Sequence, residues 1–518
     1  MHVLVTGGTG VVGSEAVNHL LEHGHAVRLF SRHAEEDSAQ WESGVEPHTG
    51  SVGKDEDVHG AAEGCDAVLH ITGIVEESPP EATFQNINVE GTRRVVEEAA
   101  RAGVQRFVYV SSLGADRGSS DYHRSKLAGE QIARTFPGNW LIVRLGNVYG
   151  PGDEVLSTLL KMVRTMPAIP VIGSGDQPFQ PLWAGDVGEA LALAVEWEEP
   201  SREVLEVAGA VPTTMNEVLD LLEGITDKSP PRIPIPEWAA FAGTKAAELV
   251  GADLPINADQ ITMLLEENVI RPPSTNAITE IFGIMPVPLT EGLAKLADSL
   301  PEKSPSEGRG SLHRQRYWAD IQGSRLSLDE LFEMFRHEFS SIAPEGLLEV
   351  GAEPGTPLVM EEGATLTMAI PLRGTIQVRV AEIKDRAITC VTLEGHPLTG
   401  AIRFLFEEMG RNLRFEVRSY TRAATLVDLV GMRTVGKVAQ EATWEAVVEE
   451  VVRRSGGEAV EGIQSLEETM EEEDARGVEE WVEERIMERH REENPKAKNS
   501  RATESQAAHA APGLVGGA

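Results

Sequence analysis

Tyr122 and Lys126 stand four residues apart in the run Tyr-His-Arg-Ser-Lys. On a helix this spacing puts a phenol and an ammonium on one face, one turn apart. A cation there favours the phenolate and lowers the tyrosine pKa, which suits the pair to proton transfer at a reacting oxygen. Two hydroxyls, Ser111 and Ser112, end the preceding apolar run RFVYVSS, and either could hydrogen-bond a substrate hydroxyl or carbonyl. A second chemical feature opens the chain, where MHVLVTG runs into Thr6-Gly7-Gly8-Thr9-Gly10-Val11-Val12-Gly13. Glycines at 7, 10 and 13 allow a tight turn, a close backbone approach to a pyrophosphate, and a helix N-terminus aimed at its charge. That is a dinucleotide site.

The second strand ends Arg28-Leu29-Phe30-Ser31-Arg32. A carboxylate at that point would accept hydrogen bonds from the adenosine ribose and favour NAD. Ser31 and Arg32 suit a 2′-phosphate instead, so NADPH is expected to be favoured over NAD, with Arg32 as the contact.

These groups need a scaffold. MHVLVTG, HAVRLFSR, DAVLHITG, RFVYVSS and WLIVRLG read as strands, with helical periods between them at Ser14–His23 and Val89–Ala102. Such alternation predicts βαβ units and a doubly wound parallel sheet of Rossmann type. Residues from about 198 to 300 read as a small substrate cap, with Pro-punctuated helices at Thr214–Ile225 and Asp259–Glu267. The expected domains are therefore 1–300, a linker at 301–311 (PEKSPSEGRGS), a second domain at 312–455, and 456–518 as an acidic helix and disordered tail. Within 312–455 a helix at Ser327–Ile342 precedes five strand-like runs between Ala364 and Tyr420, and a long helix follows at Leu426–Arg454. Short turns predict an antiparallel meander, an α+β arrangement that could enclose an apolar cavity or simply pack as a core.

The motifs TGxxGxxG, DAVLHITG, NVEGT (Asn88–Thr92), RFVYVSS and YHRSK, in that order, resemble the short-chain dehydrogenase/reductase superfamily in its extended and atypical branches, the NAD-dependent epimerase/dehydratase type. More narrowly, VSSLGAD, YHRSKLAGE, VRLGNVYGPGD and PFQPLWAGDVGEAL are similar to the branch containing the NADPH-binding accessory subunit of respiratory complex I. The resemblance covers residues 1 to about 300. It implies a Rossmann sheet with a small C-terminal substrate region, and an acid/base set of Tyr122, Lys126 and Ser112. Lys126 would also hold the nicotinamide ribose. The cofactor set is then Gly7, Thr9, Gly10, Val11, Val12, Gly13, Arg32, Thr72, Gly73 and Lys126. The interval from Ser112 to Tyr122 is shorter than in extended epimerases, a departure that disfavours a nucleotide sugar. In the second domain, the GHPxxG core at Gly395–Gly400 and FEVRSYTRAAT resemble an uncharacterised family of small domains with START/Bet v 1-like helix-grip folds, which implies a bound ligand.

The implied function is an NAD(P)-dependent oxidoreductase acting on a carbonyl or hydroxyl. The alternatives are an NADPH-binding sensor or assembly factor without turnover, and a nucleotide-sugar epimerase or dehydratase. Asn88 and Asp186 read as structural, Cys65 as packing, and His396 as a turn residue. No metal site is expected: His23, His25 and His490 show no ligand spacing and read as solvated. Over 518 residues the net charge is −37, and Glu458–Glu493 alone holds 15 acidic against 4 basic residues. So strong an anion excludes nucleic acid and acidic membranes as main partners. No apolar run is long enough for a membrane span; Trp238–Val250 is interrupted by Lys245 and Glu248. Two cysteines, an opening strand in place of a signal peptide, and this charge together predict a cytoplasmic protein. The two resemblances together imply a small, hydrophobic molecule as substrate.

Overall fold

Apolar runs bounded by turns build the first unit around a seven-stranded, all-parallel sheet. The computed structural model describes residues 1–493 apart from 42, 154, 167, 198–201, 251–256, 299, 345–347, 352–357, 371–373 and 425–436. The strands are β1 (His2–Thr6), β2 (Ala26–Ser31), β3 (Val45–Thr49), β4 (Ala67–His70), β5 (Arg106–Ser112), β6 (Asn139–Leu145), the short β7 (Val148–Tyr149), β8 (Ile169–Ile172) and β9 (Leu182–Trp183), then β10 (Arg202–Val207) and β11 (Arg232–Ile235). Their order in the main sheet is β10-β6-β5-β4-β1-β2-β3. The chain reverses direction across the sheet between β1 and β4, which opens a crevice at their carboxyl ends.

The helices are α1 (Val11–Glu22), α2 (Ala34–Asp37), α3 (Asp55–Val58), α4 (Thr92–Arg101), α5 (Asp121–Ala133), α6 (Leu156–Thr165), α7 (Ala184–Glu196), α8 (Met215–Thr226), α9 (Glu237–Val250), α10 (Ala258–Leu265), α11 (Ala277–Glu280) and α12 (Leu289–Asp298). Both sheet faces are covered, as parallel sheets require. Ala16, Val17 and Leu20 of α1 share one core with Val187 and Leu191 of α7 beneath Val3, Val5, Val108 and Val143. Val95, Val96 and Ala99 of α4 and Ile132 of α5 pack on Leu4, Val68, Phe107 and Ile142 on the other.

A second compact unit begins at Leu300. Its strands β12 (Arg309–Gln322), β13 (Glu349–Val350), β14 (Thr365–Ile370), β15 (Gly374–Lys384), β16 (Ala387–Thr392), β17 (Leu398–Met409), β18 (Asn412–Ala423), β19 (Glu458–Ala459) and β20 (Gln464–Thr469) form one antiparallel sheet, β13-β14-β15-β16-β17-β18-β12-β19, with β20 also on β12. Helix α13 (Leu328–Ile342), capped by Ser327, and the helix Lys437–Ser455 contribute to the core on its inner face. There Phe335 lies 4.9 Å from Phe404 and 5.2 Å from Phe415, ring centre to ring centre, so aromatic side chains fill the space between α13 and the strands. Positions 426–436 of the expected long helix lie outside the described residues.

Residues 301–311 do not behave as a linker. Lys303 N donates to Thr392 O at 2.8 Å, Gly400 N donates to Lys303 O at 3.1 Å, and the buried Glu302 carboxylate pairs with Arg379 at 3.2 Å and with Arg489. Polar composition suggests a solvated connector; in the structure those polar groups are paired within the second unit. The expected boundary at 455 also moves, because β19 and β20 belong to the sheet. Val482 of the acidic helix Glu472–Glu493 packs on its outer face against Ala381, Val391 and Ala401. The His490 side chain and residues 494–518 lie outside the described residues. No described helix is long and apolar enough to cross a membrane.

Candidate active site

The loop after β1 is shaped by glycine where packing demands it and where packing does not. Gly7 has φ +74°, and a Cβ there would meet Thr72 N at 2.8 Å. A Cβ at Gly13 would sit 2.0 Å from Gly7 O, so α1 can lie on the loop only without that side chain. Gly10 differs: its nearest neighbour would be Gly7 O at 3.9 Å, so nothing in the protein requires glycine. Gly10 is also the N-cap of α1, and no side chain caps that helix. An open helix N-terminus beside unfilled space fits a pyrophosphate. Gly7, Thr9, Gly10, Val11, Val12 and Gly13 all line one cavity of about 1860 Å³, and Thr72 and Gly73 line it from the loop after β4.

At one end of this cavity stand Ser31 and the exposed Arg32. Sequence reasoning missed their neighbour. Asp37, the last residue of α2, accepts a hydrogen bond from Ser31 Oγ at 2.5 Å and lines the same cavity. A carboxylate is thus present near the end of β2 after all, delivered from six residues downstream.

Ser112 closes β5, and Tyr122 lies in the first turn of α5, whose N-cap Ser120 accepts from His123 N at 3.1 Å. The Ser112 hydroxyl is close enough to the Tyr122 phenol to lower its pKa, and both residues line the cavity. The neighbouring Ser111 donates to Glu130 Oε1 at 2.7 Å instead, which leaves Ser112 as the hydroxyl facing the phenol. Lys126, 4% exposed, donates from Nζ to Val110 O at 2.8 Å, and a Cβ at Gly73 would approach Nζ to 3.0 Å. The expected depression of the Tyr122 pKa by Lys126 is not found. Burial pushes the phenol up to about 12 against the opposing pull of the neighbouring Ser112 hydroxyl, while burial pulls the Lys126 ammonium down to about 8. Desolvation outweighs spacing here because both groups are held out of water. At neutral pH the phenol carries its proton.

A buried polar chain fixes this geometry from below. Ser125 Oγ donates to Tyr122 O at 2.7 Å and lies 2.9 Å from Asn88 Nδ2, whose amide also exchanges hydrogen bonds with Ile74 N and O. Asn88 sits in a π-helical turn (Phe84–Gly91), a device common where a side chain must be re-aimed. Thr92 Oγ1 donates to Asn88 O at 2.7 Å, so it accepts from His70 Nε2 at 3.1 Å, and His70 Nδ1 then accepts from Thr6 Oγ1 at 2.6 Å. Burial drives the His70 pKa down to about 3, so the ring is neutral.

The cap supplies a second restraint that the sequence did not reveal. Asp259 of α10 accepts from Asp121 N at 2.7 Å and Tyr122 N at 3.1 Å. Glu266 accepts from Ser119 N and Oγ at 2.6 Å and lies 3.0 Å from His123 Nδ1. Carboxylates at a helix N-terminus satisfy its free N–H groups and its dipole.

The remaining candidates make contacts within the fold. Asp186 accepts from Val287 N at 2.8 Å, and His396 Nδ1 accepts from Leu398 N at 3.0 Å within its turn. Cys65 is buried. His23 and His25, expected as solvated, are partly buried against Glu189 and Glu196 at 2.7–3.1 Å. Among the described residues no group of three His, Cys, Asp or Glu side chains is placed to hold a metal ion.

Residues 3–208 match the NAD dependent epimerase/dehydratase family. The chain is 34% identical over 171 residues to a ceramide reductase of Caulobacter vibrioides, a stretch that covers 33% of this chain and 53% of that protein. It is 30% identical over 262 residues to sterol demethylase protein B of Methylococcus capsulatus, covering 46% of this chain and 78% of the relative. Over 142 residues it is 27% identical to the mitochondrial NADH-ubiquinone oxidoreductase 40 kDa subunit of Neurospora crassa, 27% of this chain and 37% of that subunit. The chain thus spans about half the length of the first of these relatives.

Proposed function

Because the chain belongs, through residues 3–208, to the NAD dependent epimerase/dehydratase family, we propose that it interconverts a ketone and a secondary alcohol with NADPH as reductant. In the reducing direction the ketone takes up a hydride and a proton, leaving alcohol and NADP⁺. The bound nicotinamide supplies the hydride to the carbonyl carbon. The observation that carries this reading is that Ser112, Tyr122 and Lys126 line the same cavity as the glycine loop. Tyr122 passes its phenolic proton to the carbonyl oxygen, and Ser112 holds that oxygen in reach. A phenol with a pKa near 12 is protonated before reaction, which suits it to the role of acid. Lys126 binds the ribose beside Gly73 and replaces the lost proton. The loop residues Gly7, Thr9, Gly10, Val11, Val12 and Gly13 hold the pyrophosphate, and Thr72 and Gly73 flank it. The preference for NADPH rests on Arg32.

A relative that is a ceramide reductase supports net oxidoreduction over epimerisation. The test is turnover of NADPH with a ketone. Tyr122→Phe should lose at least about a hundredfold in rate while keeping NADPH affinity within about twofold. Equal rates for the two proteins sink the assignment. Cofactor that is transiently reduced but never consumed would mark an epimerase instead, and tight NADPH retention without turnover a sensor.

A further inference from the structure

The cavity continues past Tyr122 into the cap, and its walls change character there. Leu159 and Met162 of α6, Val171 of β8, Leu219 of α8, and Ile261 and Met263 of α10 line this part. The described lysines and arginines on the cavity wall are Arg32, Lys54 and Lys126. Arg32 and Lys54 follow β2 and β3, at the cofactor end, and Lys126 is committed to Val110 and the ribose position. No described lysine or arginine lines the cap half, which instead contains the carboxylates of Asp153 and Glu266. Asn268, also on this wall, has its side-chain oxygen buried with no hydrogen-bond partner.

Such a compartment selects against a nucleotide sugar. A diphosphate placed here would lose water without gaining a cation, and buried charge without a partner is costly. An apolar body gains by the same burial. We propose that the substrate is an uncharged lipid-sized ketone or secondary alcohol, apolar apart from its reacting oxygen and one further donor that Asn268 accepts. This inference rests on the oxidoreductase reading above, and the experiment separates the two.

The full chain saturated with NADPH would be titrated with 17β-hydroxy-5α-androstan-3-one, with a 3-ketoceramide and with UDP-glucose, following melting temperature and NADPH absorbance together. At least one lipid ketone should raise the melting temperature and UDP-glucose should not. Leu159→Lys should weaken the lipid effect at least tenfold with NADPH binding unchanged, and Met263→Lys, on a different helix, should do the same. NADPH binding reports that each variant is folded. A shift with UDP-glucose alone, or with none of the three, overturns the substrate class, as does a lipid shift indifferent to both lysines. A lipid shift that both lysines abolish, with no NADPH consumed, retains the class and sinks the reaction.

Discussion

The Nζ atom of Lys126 donates to the carbonyl oxygen of Val110 at 2.8 Å, within the wall of the cofactor cavity. The ammonium is almost fully buried, and its pKa falls to about 8 from an ordinary 10.5. An unfolded chain keeps that proton up to about pH 10.5, whereas the folded one releases it near 8. Stability therefore carries the full burial cost below pH 8 and recovers it as pH rises to 10.5.

Lys126→Met should accordingly stabilise the cofactor-free protein at pH 7 by on the order of 1–3 kcal/mol, after allowance for the lost hydrogen bond. The advantage should fade between pH 8 and 10.5, and NADPH affinity should fall sharply. Urea unfolding at pH 7 and 10 measures this. A variant less stable than the parent at pH 7 would show that the Val110 contact outweighs desolvation.

His70 acts in the same sense over a more acidic window, between about pH 6.5 and 3. Its ring is buried, neutral and hydrogen-bonded on both nitrogens, with a pKa pushed down to about 3. Below pH 6.5 the unfolded chain takes up a proton that the folded chain refuses. The unfolding free energy should drop by about 1.4 kcal/mol for each pH unit below 6.5 on this account alone. His70→Gln should flatten the slope between pH 6 and 4 by one proton. Identical slopes would remove His70 from the acid response.

Much of this architecture was legible because it is local. The strand RFVYVSS is buried at every residue, so its apolar run announces a central parallel strand. The glycine loop and the Tyr122–Lys126 spacing are likewise contained in a few consecutive residues. Strand β3, with the sequence VEPHT, is an edge strand and carries no such run. Strand β12 was hidden by its outward arginines, whose charge is answered only across the sheet, where Glu416 accepts from Arg316 at 2.7 Å and Arg418 at 2.6 Å. Asp259 reaches the start of α5 from 138 residues downstream, a distance no motif spans. Nor can spacing reveal the depth of burial, which is why the direction of the Tyr122 shift had to come from the fold.

Cofactor choice tests the adenosine end. Arg32 and Asp37 oppose one another there, a cation favouring the 2′-phosphate and a carboxylate resisting it. Arg32→Ala should shrink the NADPH/NADH affinity ratio by about ten- to a hundredfold, the worth of a charge-assisted hydrogen bond. Asp37→Ser should widen it. Fluorescence titration of both cofactors against both variants gives the ratios. A ratio untouched by Arg32→Ala would leave Arg32 a surface charge.

Glu130 and Arg144 offer the sharpest test of how α5 is held. Glu130 Oε1 accepts from Ser111 at 2.7 Å, and Arg144 Nε and Nη2 donate to its two oxygens at 2.8 and 2.9 Å. Glu130 is fully buried and Arg144 is 7% exposed. This pair joins α5 to the ends of β5 and β6, one turn beyond Lys126. Arg144 also donates to Asp116 at 2.5 Å and lies 3.6 Å from the buried Glu206, so Glu130→Gln leaves the guanidinium paired and should destabilise the protein by about 1–3 kcal/mol, the worth of charge-assisted hydrogen bonds. Replacing both residues together, as Glu130→Gln with Arg144→Met, takes the cation from Glu206 as well and should cost more than the single change, because a buried carboxylate is then left without a partner. Stability is read by denaturant unfolding and the set of α5 by turnover. A double variant no less stable than the single would show that Glu206 does not depend on Arg144.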